Sequence, residues 1–283
     1  MAREWEGAGT EAGWSGVGCV AYAPTVPDLV TNSPAAENAE PWVAVVMAME
    51  VEAAPLRAAL DAAPVDPPPW AASLPVRLAV ATASGSRPNV LLAVNGDDPM
   101  SGVAAIGTTA AALTTHVALN LDDVPRPGLV LSVGTAGGWS RNGSEIGDTY
   151  FAWPHFACHD RRIDLPGFQA FGDADLPAAD LRPHAEALGC GVGVVTTGDS
   201  LDESPTDRDR MLGNDGVAKE MEAAAVAWIC HLHGVPVGAV KTITDLVDSE
   251  VDTPEQFIAN LELAASSLQR TTLGLLDRLG APS

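Results

Sequence analysis

The 283-residue sequence predicts an α/β fold, with a central, largely parallel twisted sheet carrying helices on both faces. Two observations lead there. Short, continuous apolar runs recur along the chain, as in strands buried on both faces. Between them lie longer stretches whose apolar residues repeat at helical spacing. No linker interrupts residues 41–283, which read as one domain. Residues 1–40, rich in Gly, Ala, Pro and acidic side chains, read as a poorly ordered extension.

The elements follow in order. Trp42–Met47 (WVAVVM) is the first buried strand. Residues 48–63 follow as a helix with Ala53, Leu56 and Leu60 on one face. The proline-rich residues 64–70 read as a loop, and residues 76–81 and 90–94 as strands. An Ala/Thr-rich helix is predicted over residues 100–120. Residues 128–133 form another strand, opening into Gly134-Thr135-Ala136-Gly137-Gly138. Gly191–Thr197 is a strand ending in Gly198-Asp199-Ser200. A helix is predicted over residues 217–233, with Gly234 as its stop. The strand over residues 235–244 leads to Asp245. Thr253-Pro254 reads as the start of a terminal helix, with Phe257, Leu261, Ala264, Leu268, Leu275 and Leu279 on one face.

Composition removes several function classes. A hydrophobic fraction of 47% with 18% charged residues is that of a globular chain. The net charge, 15 − 37 = −22, repels polyphosphate backbones and argues against nucleic acid as partner. No apolar run reaches the roughly 20 residues of a membrane span. With no secretory signal at the N-terminus, a cytoplasmic location is expected. Cys19, Cys158, Cys190 and Cys230 are far apart and form no CxxC pair, so neither structural zinc nor a disulfide framework is expected.

In folds of this class, ligands sit beyond the carboxyl ends of the strands. Three such ends carry polar or glycine-rich segments: Glu50-Val51-Glu52, the Gly134–Gly138 stretch, and Thr244-Asp245. A fourth segment, Glu220-Met221-Glu222, lies on the predicted helix at 217–233. Each has a plainer reading. Glu50 and Glu52 suit the first turn of a helix, Asp245 suits an N-cap, and Glu222 could lie on a solvated face. A charge within Met221–Cys230, an otherwise apolar stretch, is nonetheless costly unless paired or used. The glycines would let backbone N–H groups approach a ligand, but the Gly-Lys-Ser/Thr ending of a P-loop is missing.

Taken together, the order and spacing of several short motifs resemble the methylthioadenosine/S-adenosylhomocysteine nucleosidases of the nucleoside phosphorylase superfamily. The motifs are Ala48-Met49-Glu50-Val51-Glu52, Ala104-Ala105-Ile106-Gly107-Thr108-Thr109, Gly134–Gly138, His159-Asp160, Thr197-Gly198-Asp199, Glu220-Met221-Glu222-Ala223 and Ile243-Thr244-Asp245. The resemblance implies a three-layer sandwich with a mixed, largely parallel sheet and a homodimer whose second subunit closes part of the pocket. It implies a hydrolase of the N-glycosidic bond of a purine nucleoside, using water and neither metal nor cofactor. Asp245 takes the place of the acid that protonates the purine, and Glu52 that of the base acting on water. Glu222 takes the ribose hydroxyls while Met221 packs on the sugar. Met49, Thr135, Ala136, Gly137, Leu201, Lys241 and Thr244 complete the implied substrate site.

Three positions depart from that pattern. Lys241 stands where an arginine is usual, keeping the charge but losing the planar fork. Ser200-Leu201 replaces a small residue followed by an aromatic that stacks on the base. Thr253-Pro254 falls where an aromatic lines the 5′ pocket, so a futalosine-like nucleoside or adenosine stays open as substrate. The nearest alternative is a phosphorylase. Against it, related phosphorylases use arginines for phosphate, whereas the loop after the first strand presents Glu50 and Glu52. A catalytically silent nucleoside-binding protein is the alternative from another class.

Overall fold

A computed structural model describes residues 41–250 and 253–280. The expectation for residues 1–40 lies outside them. The elements are β1 (Trp42–Met47), α1 (Glu50–Leu60), β2 (Ala63–Val65), β3 (Arg77–Ala81), β4 (Asn89–Val94), α2 (Thr108–Ala118) and β5 (Leu129–Gly138). They continue with β6 (Thr149–Cys158), α3 (Gln169–Asp173), β7 (Leu176–Pro177), α4 (Arg182–Ala187), β8 (Gly191–Thr197) and α5 (Pro205–Gly213). The last four are β9 (Gly216–Glu220), α6 (Ala223–His233), β10 (Val237–Leu246) and α7 (Thr253–Leu279).

The ten strands form one mixed sheet in the order β10-β6-β8-β9-β5-β1-β4-β3-β2, with β7 on β6. Its middle is parallel: β1 lies between β4 and β5, in register Val43↔Val90 and Val43↔Leu129. β10 also pairs with β5, so this half of the sheet curls back on itself. Alternate residues of the buried strands supply two cores. Ala44, Val46 and Val130 pack beneath α2 and α6. Val43, Val45, Leu129 and Leu131 pack beneath α1 and α7 through Leu56, Leu268 and Leu275. Helices therefore cover both faces, which is the three-layer arrangement.

Four local readings change. The helix expected over residues 217–233 begins only at Ala223, because residues 216–220 pair with β8 as β9. Two charges at Lys219-Glu220 obscure that strand in the sequence, yet both are buried there beside partners. The helix expected over residues 100–120 begins at Thr108, after Gly102 and Gly107 take positive φ of 73° and 96°. Ala63, expected at the end of the first helix, and residues 64–65 of the expected loop form β2 at the sheet edge, where proline costs no ladder bond in the interior. Finally, the strand expected to end at residue 133 runs on through Gly134–Gly138 as β5.

Candidate active site

Three carboxylates from three different strand ends face one cavity. Its lining includes Met49, Glu52, Thr135, Ala136, Gly137, Leu201, Met221, Glu222, Lys241, Thr244 and Asp245. β1 ends at Met47, and α1 starts directly beyond it with Met49 as N-cap, so Glu52 sits in the first helical turn and points inward. Glu52 is 2% exposed. Its Oε1 accepts two hydrogen bonds, from the Thr135 amide at 2.8 Å and the Thr135 hydroxyl at 2.7 Å. Its Oε2 is buried and has no hydrogen-bond partner among the described residues. Burial raises the Glu52 pKa, while both Thr135 donors and the Lys241 charge pull the other way.

Asp245 arrives differently. β10 pairs with β5 as Ile243↔Ala136 and then Asp245↔Gly137, and the skipped residue is a bulge that re-aims the carboxylate. Asp245 is 3% exposed, and its Oδ1 accepts from the Thr244 hydroxyl at 2.8 Å. Burial raises its pKa; Thr244 and Lys219 oppose the shift and Glu203 adds to it. Gly137 is required here. A Cβ on it would stand 2.7 Å from Asp245 Oδ2 and 2.8 Å from Val247 Cγ2. The glycine thus makes room for the acid, whereas the sequence suggested room for a ligand.

Glu222 is the N-cap residue of α6, between β9 and the helix, and not on a solvated helical face. Its Oε1 accepts from the Gly107 amide at 2.8 Å. Burial first, then the neighbouring Glu220, push its pKa up to about 7. Glu220 is itself held by many donors. The Thr197 hydroxyl and the amides of Glu222 and Ala223 donate to it, and Lys241 Nζ lies 2.8 Å from its Oε2. Lys241, 1% exposed, also donates to Ser132 Oγ at 3.2 Å. The second lysine of the lining, Lys219, donates to the Leu201 carbonyl and pairs with Glu203 at 3.8 Å. Glu50, by contrast, is turned away from the cavity toward Arg57 and Arg77.

The chain is similar to several known proteins. A family model described as the phosphorylase superfamily matches residues 43–277. A 5′-methylthioadenosine nucleosidase of Arabidopsis thaliana is 32% identical over 83% of this chain and 86% of its own. A 5′-methylthioadenosine/S-adenosylhomocysteine nucleosidase of the same plant is 33% identical over 67% of this chain and 73% of its own. The chain belongs to the methylthioadenosine/S-adenosylhomocysteine nucleosidase family. The apo structure of the Arabidopsis thaliana 5′-methylthioadenosine nucleosidase matches with a TM-score of 0.80 at 29% identity, covering 87% of this chain and 98% of that one. A futalosine hydrolase of Helicobacter pylori, at 22% identity and a TM-score of 0.68, shares the fold alone.

Within this family member, all the site residues named from the sequence line the one cavity. The structure adds others. Phe257, four residues beyond Thr253, brings to the lining an aromatic ring that the sequence comparison missed. Its position fits the buried face of α7, so helical periodicity hid its second use. Lys219 and Glu220 join the lining from β9, which the sequence reads as helix, and neither has a role in the sequence reading. Asn95 and Ile106 join the lining from the segment between β4 and α2; Ile106 stands in one of the quoted motifs without a role, and no local signal marks Asn95.

Proposed function

We propose that this chain hydrolyses the N-glycosidic bond of a 5′-alkylthio purine nucleoside of the methylthioadenosine type, with Asp245 as acid, Glu52 as base and Glu222 as ribose anchor. One observation carries the reading: two buried carboxylates, Glu52 and Asp245, and the half-buried Glu222 converge on one cavity, and each is in a different hydrogen-bonding environment. Asp245 in its acid form gives its proton to the purine as the bond from nitrogen to C1′ breaks and the electron pair leaves with the base. Glu52, through its free Oε2, takes a proton from the water whose oxygen bonds to C1′. Glu222 accepts hydrogen bonds from the ribose hydroxyls, and its charge favours the cationic sugar. The products are the free base and the ribose derivative, and solvent returns the proton from Glu52 to Asp245.

Water suits this cavity better than phosphate. Among the described residues that line it there is no arginine, and both lysines are engaged with carboxylates. A phosphate dianion would meet Glu52 and Glu222 with no free cation to offset them. Glu50 takes no part in excluding phosphate, because it faces Arg57 and Arg77. Met49, Ile106 and Phe257 offer apolar surface suited to an alkylthio group.

The same reading includes a homodimer and a cytoplasmic location. Leu113, Trp228 and Leu232 are exposed on α2 and α6, and Met100, Val103 and Ile106 are exposed in the segment leading to α2. Since Ile106 also lines the cavity, a second copy covering this face would close the pocket. The free thiols of Cys158, Cys190 and Cys230 suit a reducing compartment. The decisive test is incubation with methylthioadenosine, S-adenosylhomocysteine and adenosine, with and without phosphate, followed by chromatography of the base. Release without phosphate is expected, fastest from methylthioadenosine. A strict phosphate requirement would make the chain a phosphorylase, and no base from any nucleoside would remove the enzyme reading. Light scattering tests the dimer.

A further inference from the structure

Ser200 and Leu201 form one wall of the cavity, directly after Asp199, and Glu222 stands on another. They are joined through the start of α2. Gly107 and Thr108 present consecutive amides there: the first donates to Glu222 Oε1 at 2.8 Å, the second to Asp199 Oδ1 at 2.6 Å. The Thr108 hydroxyl donates to Asp199 Oδ2 at 2.6 Å, so one carboxylate takes both donors of this residue. Gly107 makes the arrangement fit, with φ of 96°, and a Cβ on it would lie 2.6 Å from Asp199 Oδ1. The same segment is fastened from below, where Asn95 Nδ2 donates to the Ala105 carbonyl at 2.8 Å and the Ala105 amide to the Gly96 carbonyl at 2.9 Å. Asp199 is tied behind as well, its own amide donating to Asp160 Oδ2 at 2.6 Å.

From this juxtaposition we infer that Asp199 is a positioning residue, clasping the wall that carries Leu201 to the amide pair that holds the ribose anchor Glu222. The inference rests on the nucleosidase reading for what Glu222 binds. The clasp itself is a matter of geometry. Asp199 is on the exposed rim and lines no part of the cavity, so it acts through Thr108 and Gly107 and not on substrate. A capping carboxylate at a helix start is favourable in general. Here the carboxylate comes from 91 residues away, so the cap also sets where two walls of the site stand relative to each other.

The test compares Asp199→Ala, Thr108→Val and Thr108→Ser for KM and kcat. It also measures dissociation constants for intact methylthioadenosine by calorimetry, each change combined with Asp245→Asn to prevent turnover. Asp199→Ala is expected to raise KM and the dissociation constant about tenfold or more, the loss of charge-assisted hydrogen bonds, with a smaller fall in kcat. Thr108→Val should reproduce a part of this, and Thr108→Ser should restore wild-type values. Because both partners serve one contact, the double variant Asp199→Ala/Thr108→Val should be no weaker than Asp199→Ala alone. Unchanged binding in Asp199→Ala, or fully additive losses in the double variant, would overturn the clasp. If Asp199→Ala does not fold, the Thr108 pair decides: equal binding by the Val and Ser variants refutes it. Wild-type base release judges the nucleosidase reading separately, because the dissociation constants do not depend on turnover.

Discussion

Replacing Asp245 with asparagine isolates the proton from everything else the side chain does. The carboxamide has nearly the same shape. It fits the space that Gly137 leaves, where Oδ2 already comes within 2.7 Å of a hypothetical Cβ, and it keeps an acceptor for the Thr244 hydroxyl. What it cannot do is release a proton to the departing purine. Positioned general acids contribute about 10²- to 10⁴-fold, or about 3–5 kcal/mol of barrier at 1.36 kcal/mol per decade. Turnover should fall by that factor while binding of the intact nucleoside changes little, which single-turnover base release and calorimetry measure separately. The pH dependence adds a second signature. Burial holds the Asp245 pKa above the usual carboxylate range, so the active acid form persists to higher pH and is lost as pH rises through that raised value. Wild-type kcat should therefore carry an alkaline limb that the variant lacks. Stability follows the same sign. A raised carboxyl pKa contributes stability fully below its ordinary value and loses it as pH rises through the folded value, so Asp245→Asn should gain on wild type in thermal melts as pH increases. A variant that is well folded and retains turnover within about tenfold of wild type would refute the acid assignment.

Three further outcomes are expected. Glu222 is a purely accepting, negatively charged partner for the ribose only when ionised, and its pKa is pushed up to about 7, so kcat/KM should rise as pH increases through about 7. In Glu222→Gln that limb should vanish and KM should rise, as read from pH profiles. Lys241→Met leaves Glu220 buried without its cation, which should destabilise the fold by about 3–5 kcal/mol in urea denaturation; Lys241→Arg should lose much less. Phe257→Ala should raise KM for methylthioadenosine about tenfold more than for adenosine, if the ring serves the 5′ group; equal effects on both substrates would count against that.

The parts of this fold that were legible in the sequence are those where one physical requirement dominates. Trp42–Met47 reads as a strand because residues 43–47 are apolar and buried on both faces. The α7 face reads correctly because Ala264, Leu268 and Leu275 recur at helical spacing. β9 fails the same test. Its Lys219 and Glu220 are charged, and only the tertiary partners Glu203 and Lys241 make their burial affordable. β6 was missed because aromatics and Pro154 break its pattern, and its register with β8 is itself interrupted after Ala152. In the site, single positions such as Glu52 and Asp245 looked like helix-end residues, and only the joint motif order pointed to chemistry. Contacts such as Asp199 with Thr108 have no local signal, since they depend on where the sheet puts two distant loops.

The proposed mechanism gives Glu52 and Asp245 opposite roles from one kind of burial. Both carboxylates are almost fully buried, and burial raises both pKa values. Their hydrogen-bond partners then separate them. Glu52 takes two donors from Thr135 on one oxygen and lies within the field of Lys241, which favours the anion and leaves Oε2 free for water. Asp245 has a single hydroxyl donor, and the nearby Glu203 works against its ionisation. In the proposed mechanism the base is ionised and the acid protonated at the same pH, and the extra donors on Glu52 favour that order. Exchanging the residue types would not exchange the roles, because the roles belong to the Thr135 amide and the β10 bulge as much as to the carboxylates they hold.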